Sequence, residues 1–425
     1  MASATKLPVN QDRLFADIMA LGEITEPGAP YTRRSFSPLF LKGREWLARS
    51  FAKIGLATRI DTAGNMIGTI SGEDPAAGTI VVGSHIDTVP SGGRFDGIAG
   101  IATGLEIARV IRERGIKLRH NLDIVDFLAE EPSEFGVSCI GSRGMSGKLS
   151  AAQLQFQDPR GEHLGEALSR VGGDASRLGE ARRSDVRAAF ELHIEQGTIL
   201  EAGKLDIGLV TAIAGITRVE IVFAGEAGHA GATPMHRRKD ALLPAARLID
   251  RVKALADEIA ARGQGYFVAT TGVIEARPNA SNVIPGLARL IVDARSDRRE
   301  LKDEFRNRLD AESLAIARMA NVERVRFETL SDTLPAACHE GLLAMLKAAA
   351  ISLRLSSLDI ASGAGHDTAF MTSIAPAAMI FIPCKAGLSH CPEEWSEPSE
   401  VAAGAAVILE AVLAFDHSER GALTT

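Results

Sequence analysis

The stretch TIVVGSHIDTVPSGGRFDGIAGIATGLEIARVI, residues 79–111, decides how this chain is read. An apolar run, Thr79–Val82, ends in Gly83-Ser84-His85, a glycine-rich loop follows, and Ile98–Ile111 then has the length and apolar character of a helix. Two further apolar runs end in polar clusters: Leu122–Leu128 before Glu130-Glu131, and Ala188–Leu192 before His193. Strand, loop, helix, strand is the pattern of an α/β unit, with a mostly parallel sheet and helices on both faces. Ligands of such sheets gather beyond the carboxyl ends of the strands, which is where the polar clusters fall.

Working outward, residues 10–25 and 37–54 read as helices, the second with Phe40, Leu41, Trp46, Leu47 and Phe51 toward the core. The pattern changes near Thr211. From Arg218 the alternation VEIVFAG predicts a half-exposed strand, followed by a helix from about Lys239 to Ala261. Tyr266–Ile274 and Leu287–Ala294 read as strands, Arg299–Ala320 as a charged helix and Val322–Thr329 as a last strand. The order βαββαβ predicts a small α+β, ferredoxin-like domain. Afterwards the first pattern returns, with helix 340–352, strand Ala377–Ile382 and helix 397–414. The expected organisation is a catalytic domain from 1–212 and 329–425, interrupted by an inserted domain over 213–328.

With 425 residues, 46% hydrophobic and 24% charged, the composition is that of a globular α/β enzyme. A formal net charge of −7 gives no basic footprint for nucleic acid. No apolar run is read as reaching the roughly 18 residues that span a bilayer, and the first residues lack a secretory apolar core. Cytoplasm is the expected compartment. Cys139, Cys338, Cys384 and Cys391 lack metal-ribbon spacing and are read as reduced and mostly buried, with none beside a candidate base.

Neutral imidazoles and carboxylates are ordinary ligands of zinc and related ions. Asp87, two residues after His85, sits on the same side of an extended segment and can orient its ring. Asp96 lies on the glycine-rich loop that can fold back toward the strand end. Taken alone, His85 is equally a hydrogen-bonded strand-end histidine. Adjacent Glu130 and Glu131 repel unless solvated, separated or neutralised by a cation, and a bend at Pro132 can turn both to one place. His193 and His390 also stand at the ends of apolar runs. Each is unremarkable singly, and together they form a candidate metal centre.

The segments GSHIDTVPSGGRFDGIAG, AEEPSEFG, ELHIEQG, GHAGATPM, RPNASNVIPG, SGAGHD and SHCPEE resemble, in order, the hydantoinase/carbamoylase branch of the M20 zinc-peptidase family. The resemblance runs from about residue 40 to 400. It implies one metal held by His85, Asp96 and His193 and a second held by Asp96, Glu131 and His390. It makes Asp87 the residue orienting His85, Glu130 the general base, and Gln196, His229, Asn282 and Arg295 the groups that bind substrate or steady an oxyanion. Two divalent ions are implied, zinc above all, with manganese, cobalt or nickel accepting the same ligands. A homodimer through the inserted domain is implied as well, with that domain serving as lid.

Arg295 suits a carboxylate because its fork makes two charge-assisted hydrogen bonds, and Asn282 adds a donor beside it. A surface salt bridge to Asp293 or Asp297 is the competing reading for Arg295, and Asn279 rivals Asn282. His366-Asp367 resembles a pair lining the site. Pro132 and Glu134 stand where many relatives have glycine and arginine, which bears on substrate choice. The expected reaction is hydrolysis of an N-carbamoyl-L-amino acid. Allantoate, β-ureidopropionate or an N-acyl or peptide substrate are alternatives, as is a non-catalytic binding protein on the same fold.

Overall fold

The computed structural model describes residues 7–421. Two compact units result: one comprises the chain to Thr211, Cys338–Ile360 and His366 onward, the other Ala212–Ala337 with Ala361–Gly365. The second unit runs beyond the expected edge at 328, because its last long strand continues through two register shifts to pair Asp332 with Thr217.

Strands follow in the order β1 (Ala57–Ile60), β2 (Met66–Ile70), β3 (Thr79–Ser84), β4 (Asn121–Asp126), β5 (Val186–Ile194) and β6 (Ile207–Ile213). Then come β7 (Gly215–Ala224), β8 (Gly228–His229), β9 (Phe267–Arg277), β10 (Val283–Ile284), β11 (Leu287–Ser296), β12 (Glu323–Asp332) and β13 (Ala336–Ala337). The chain returns with β14 (Ser357–Ser362) and β15 (Ala377–Ile382).

In the first unit the strands lie in the order β1-β2-β4-β3-β5-β15-β6, with β14 also on β6. The centre is parallel, β4 with β3, β3 with β5 and β5 with β15, and the flanks are antiparallel. β3 and β15 are buried at every residue, which is why they read as unbroken apolar runs rather than alternating ones. Val81, Val125 and Ala189 pack with Met145 and Met371 on one face. On the other, Gly104 of the helix Ile98–Glu113 is so close that a Cβ there would lie 2.7 Å from Ile124. Ser37 caps the helix Pro38–Ile54 through the amide of Phe40, and Gly55 ends it in the left-handed region (φ 80°).

One expectation about apolar length is overturned. Pro398–Ser418 is long and apolar enough to cross a membrane, with a mean hydropathy of 1.6, although 67% of that window is buried inside the protein. The helix packs on β5 and β15 and on the helix Ile98–Glu113, so its apolar residues are core. The sequence reading found the helix, as 397–414, but not its spanning length, because Glu410 and Asp416 break the apolar run.

The second unit is an antiparallel sheet in the order β12-β7-β11-β9, with the helices Leu242–Ala260 and Arg299–Met319 packed against it. Val219, Ile221, Phe223, Leu290 and Val292 meet Leu248, Val252, Leu255, Phe305 and Leu309 in one core. This is the ferredoxin-like arrangement that the βαββαβ order predicts.

Candidate metal centre

Four parallel strands deliver the site, because parallel strands end on the same side of a sheet. His85 follows β3, Glu130 and Glu131 follow β4, His193 is the penultimate residue of β5, and His390 comes after β15. Asp96 sits on the loop before the helix Ile98–Glu113. Gly97, at φ 68°, turns the chain there, and a Cβ on it would lie 2.4 Å from His85 Nε2, so only glycine fits.

Asp96 is the hub. Its Oδ1 is 2.8 Å from His193 Nε2 and 3.7 Å from His85 Nε2, and its Oδ2 is 3.0 Å from His390 Nε2. His390 Nε2 is also 3.4 Å from Glu131 Oε1. Ligand atoms of His85, Asp96 and His193 lie within 4.8 Å of one another, as do those of Asp96, Glu131 and His390. Two metal-sized groups therefore share one carboxylate.

These residues fit a pair of cations on grounds of their own. His85 Nδ1 hydrogen-bonds the carbonyl of Asp87 at 3.0 Å and His193 Nδ1 that of Ile194 at 2.9 Å, which leaves both Nε2 lone pairs facing the cluster. His85 Nε2 is buried yet has no hydrogen-bond partner. A buried acceptor without a donor is costly unless something electropositive meets it.

Asp87 is placed differently from the expected ring partner. Its carbonyl makes the shorter approach to His85, whereas the carboxylate is 3.6 Å away and accepts the amides of Glu130 and Glu131 at 3.3 and 3.2 Å. Asp87 thus holds the strand end of His85 and the glutamate pair together. Ala129 turns the chain at φ 51°, ahead of the expected bend at Pro132, and both glutamates reach the cluster. Glu130 Oε2 comes 3.6 Å from His85 Nε2 and belongs to neither ligand group.

The expectation that no thiol stands beside a base is overturned. Cys139 Sγ lies 3.5 Å from Glu130 Oε1. Burial, and then Glu130 itself, push that thiol well up, so it stays protonated and donates to the carboxylate rather than acting as a nucleophile. Gln196 donates from Nε2 toward Asp96 Oδ2 at 3.3 Å and Ser389 Oγ at 3.2 Å. The His366 ring packs 4.5 Å from that of His193, and Asp367 accepts from Ser142 at 2.5 Å. Glu134 pairs with Arg34 at 3.2 Å, and Arg34 also holds the carbonyl of Pro132 at 2.7 Å, so the unusual acid is paired with a cation from the segment ahead of the helix Pro38–Ile54.

In the second unit, His229 Nδ1 accepts the amides of Gly231 and Ala232 at 3.1 and 3.2 Å, so its Nε2 carries the hydrogen and is a donor. Asn282 is its neighbour, since Ala230 donates to the Asn282 carbonyl at 2.9 Å and β8 pairs with β10. Arg295 is not beside them. It pairs with Ile216 at the far end of β11, while Leu287 at the near end pairs with Ala224, and eight residues of strand span about 26 Å. The expected joint grip of Arg295 and Asn282 on one carboxylate therefore fails within a single chain. Arg295 Nε instead meets Asp293 Oδ1 at 2.8 Å and Nη1 the Gly363 carbonyl at 3.0 Å.

A sequence model of Peptidase family M20/M25/M40 matches residues 81–414. The chain belongs to that family. It is 36% identical over 407 residues to an N-carbamoyl-L-amino acid amidohydrolase of Geobacillus stearothermophilus, covering 95% of this chain and 98% of the relative. An allantoate amidohydrolase of Bacillus subtilis is 33% identical, with 85% and 88% covered. A hydantoinase/carbamoylase family amidase of Burkholderia multivorans has a solved structure that superposes with a TM-score of 0.87 at 35% identity, covering 96% and 98%. Such similarity along the whole chain makes the protein a hydrolase of the amidohydrolase type.

Without bound cations the cluster has a defined pH response. Burial and then Asp96 push Glu131 up to about 7 and Glu394 up to about 7, and the hydrogen bond to Asp96 raises His390 to about 9. Folded carboxyls then keep protons that the unfolded chain releases above the usual 4.5. Folding takes up protons, and stability falls as pH rises from there toward 7. The His390 contribution is complete below its ordinary 6.5 and is lost as pH rises through about 9. Chelator-treated protein is expected to lose at least about 1 kcal/mol, or ~1–2 °C in Tm for a chain of this length, between pH 5 and 8. Metal-loaded protein should lose less, because deprotonation favours binding. A flat or rising melting temperature in the stripped protein would contradict this electrostatic picture.

Proposed function

We propose that this protein hydrolyses N-carbamoyl-L-amino acids to the amino acid, carbon dioxide and ammonia. The observation that carries the reading is the meeting of His85, Asp96, Glu131, His193 and His390 around one centre, buried except at His390, with Glu130 beside it and uncommitted as a ligand. Support for the substrate class comes from the 36% identity to an N-carbamoyl-L-amino acid amidohydrolase over nearly the whole length of both chains.

In this reading His85, Asp96 and His193 hold one divalent ion and Asp96, Glu131 and His390 the other, and zinc suits the donor set best. Bound ions supply Lewis acidity that polarises the ureido carbonyl and lowers the pKa of water. Glu130 takes the proton from the attacking water and delivers it to the departing nitrogen. Cys139 steadies Glu130 by donating its S–H to the carboxylate. Gln196 donates to Asp96 Oδ2, beside His390, and stands next to the centre as a substrate-binding group. His229, fixed as an Nε2–H donor, steadies the oxyanion that develops on the attacked carbonyl.

Arg295 binds the substrate carboxylate, exchanging part of its contact with Asp293 for it. Because Arg295 and the His229–Asn282 pair stand at opposite ends of β11, a small substrate cannot touch both in one copy. We assign His229 and Asn282 to the site of a second copy, so the working form is a homodimer. Light scattering that found a monomer at assay concentrations would remove this part of the reading.

The test is a substrate panel run with protein reconstituted separately with zinc, manganese, cobalt and nickel, following ammonia. Release of one ammonia per amino acid formed is expected for N-carbamoyl-L-amino acids. Turnover of allantoate alone would move the assignment to the alternative that the Bacillus subtilis relative suggests. Amide or peptide cleavage without ammonia would refute the ureido substrate.

A further inference from the structure

Glu394, at the end of the SHCPEE segment, is buried and belongs to neither ligand group. Its Oε1 accepts the amides of Phe95 at 2.7 Å and Asp96 at 3.1 Å. Its Oε2 accepts from Ser389 Oγ at 2.9 Å, next to His390. One carboxylate thus ties together two loops almost 300 residues apart, each carrying a ligand of the shared centre. The loop is shaped around it, for a Cβ on Gly93 would lie 1.9 Å from the Glu394 carboxyl carbon. Two backbone amides converging on one oxygen fix the geometry of the loop, and an acceptor of the same shape is what that geometry needs.

We propose that Glu394 is a positioning residue that sets Asp96 and His390 in register for cation binding before any ion arrives. The inference rests on the two-metal reading. Groups that orient ligands in this way change metal affinity by about 10–100-fold when removed, since the ligands must then be ordered at the moment of binding. Glutamine keeps an oxygen for both amides, and its N–H can donate to Ser389 Oγ where the carboxylate accepted from it. Alanine loses all three. A methyl at position 93 pushes the carboxyl away while every polar group remains.

The experiment uses the full chain stripped of metal, titrated with zinc by calorimetry. Amide hydrogen exchange of the peptide covering residues 90–97 is measured alongside. Wild type is expected to take up two ions. Glu394→Ala and Gly93→Ala should bind zinc about 10–100-fold more weakly and exchange faster in that peptide, with protection elsewhere unchanged. Glu394→Gln should stay within about threefold of wild-type affinity, which a role resting on negative charge would not allow. Wild-type affinity in both Glu394→Ala and Gly93→Ala overturns the proposal, and so does a Glu394→Gln protein as weak as Glu394→Ala. If Glu394→Ala does not fold, Gly93→Ala and Glu394→Gln decide by the same criteria. A wild type that binds no zinc would end the two-metal reading. Unchanged exchange at 90–97 in the variants of a zinc-binding wild type ends this proposal alone.

Discussion

Glu130→Gln is expected to lower kcat by roughly 10³-fold while both cations stay bound, a loss within the range for removal of a general base. The reason is positional. Glu130 Oε2 approaches His85 Nε2 at 3.6 Å, and its other oxygen receives Cys139 Sγ at 3.5 Å, yet neither ligand group uses it. Glutamine matches its volume and keeps an acceptor for the thiol but cannot accept a proton from water. Metal content by mass spectrometry should remain at wild-type stoichiometry. KM should change by less than the fall in kcat, because the missing step is proton transfer and not binding. Turnover within a factor of about three of wild type, at full metal content, would remove Glu130 from the reaction.

The second large effect is expected at the hub. Asp96 is the one residue common to both ligand groups, and three imidazoles converge on it. Asp96→Ala should therefore abolish binding of both ions and with it all hydrolysis, rather than converting the centre into a one-metal site. A ligand that binds only the folded state stabilises it by about 2.7 kcal/mol at a hundred times its Kd. Wild type should accordingly melt higher with added zinc, and the variant should show no such rise. Retention of one tightly held ion, with a zinc-dependent melting shift near that of wild type, would mean that the two groups do not share their carboxylate.

Much of this was legible in the residues. Buried parallel strands are unbroken apolar runs, so β3, β5 and β15 could be found together with the polar clusters that follow them. β1 and β2 escaped because four- and five-residue antiparallel strands carry little pattern, and the buried C-terminal helix was too interrupted to register as one apolar run. The separation of Arg295 from Asn282 escaped for another reason. They are thirteen positions apart by number, and although Leu287–Ala294 reads as a strand, only the pairings of β8 with β10 and of β11 with β7 place Asn282 beside His229 and Arg295 at the far end. Cys139 and Glu394 gave no signal, since a cysteine nine residues past a glutamate and an acid in a loop mean nothing until the chain folds.

The opening stretch, 79–111, marks the division. The sequence by itself determined the α/β unit, the inserted ferredoxin-like unit and the candidate ligands, because periodicity and residue chemistry are local properties. Tertiary structure alone decided that Asp87 grips the glutamate amides and that Glu394 joins two distant loops, and it gave distances to the sharing of Asp96 that the family resemblance implied. Those facts depend on which strand ends lie side by side and where a backbone N–H points, and neither is written in any single segment.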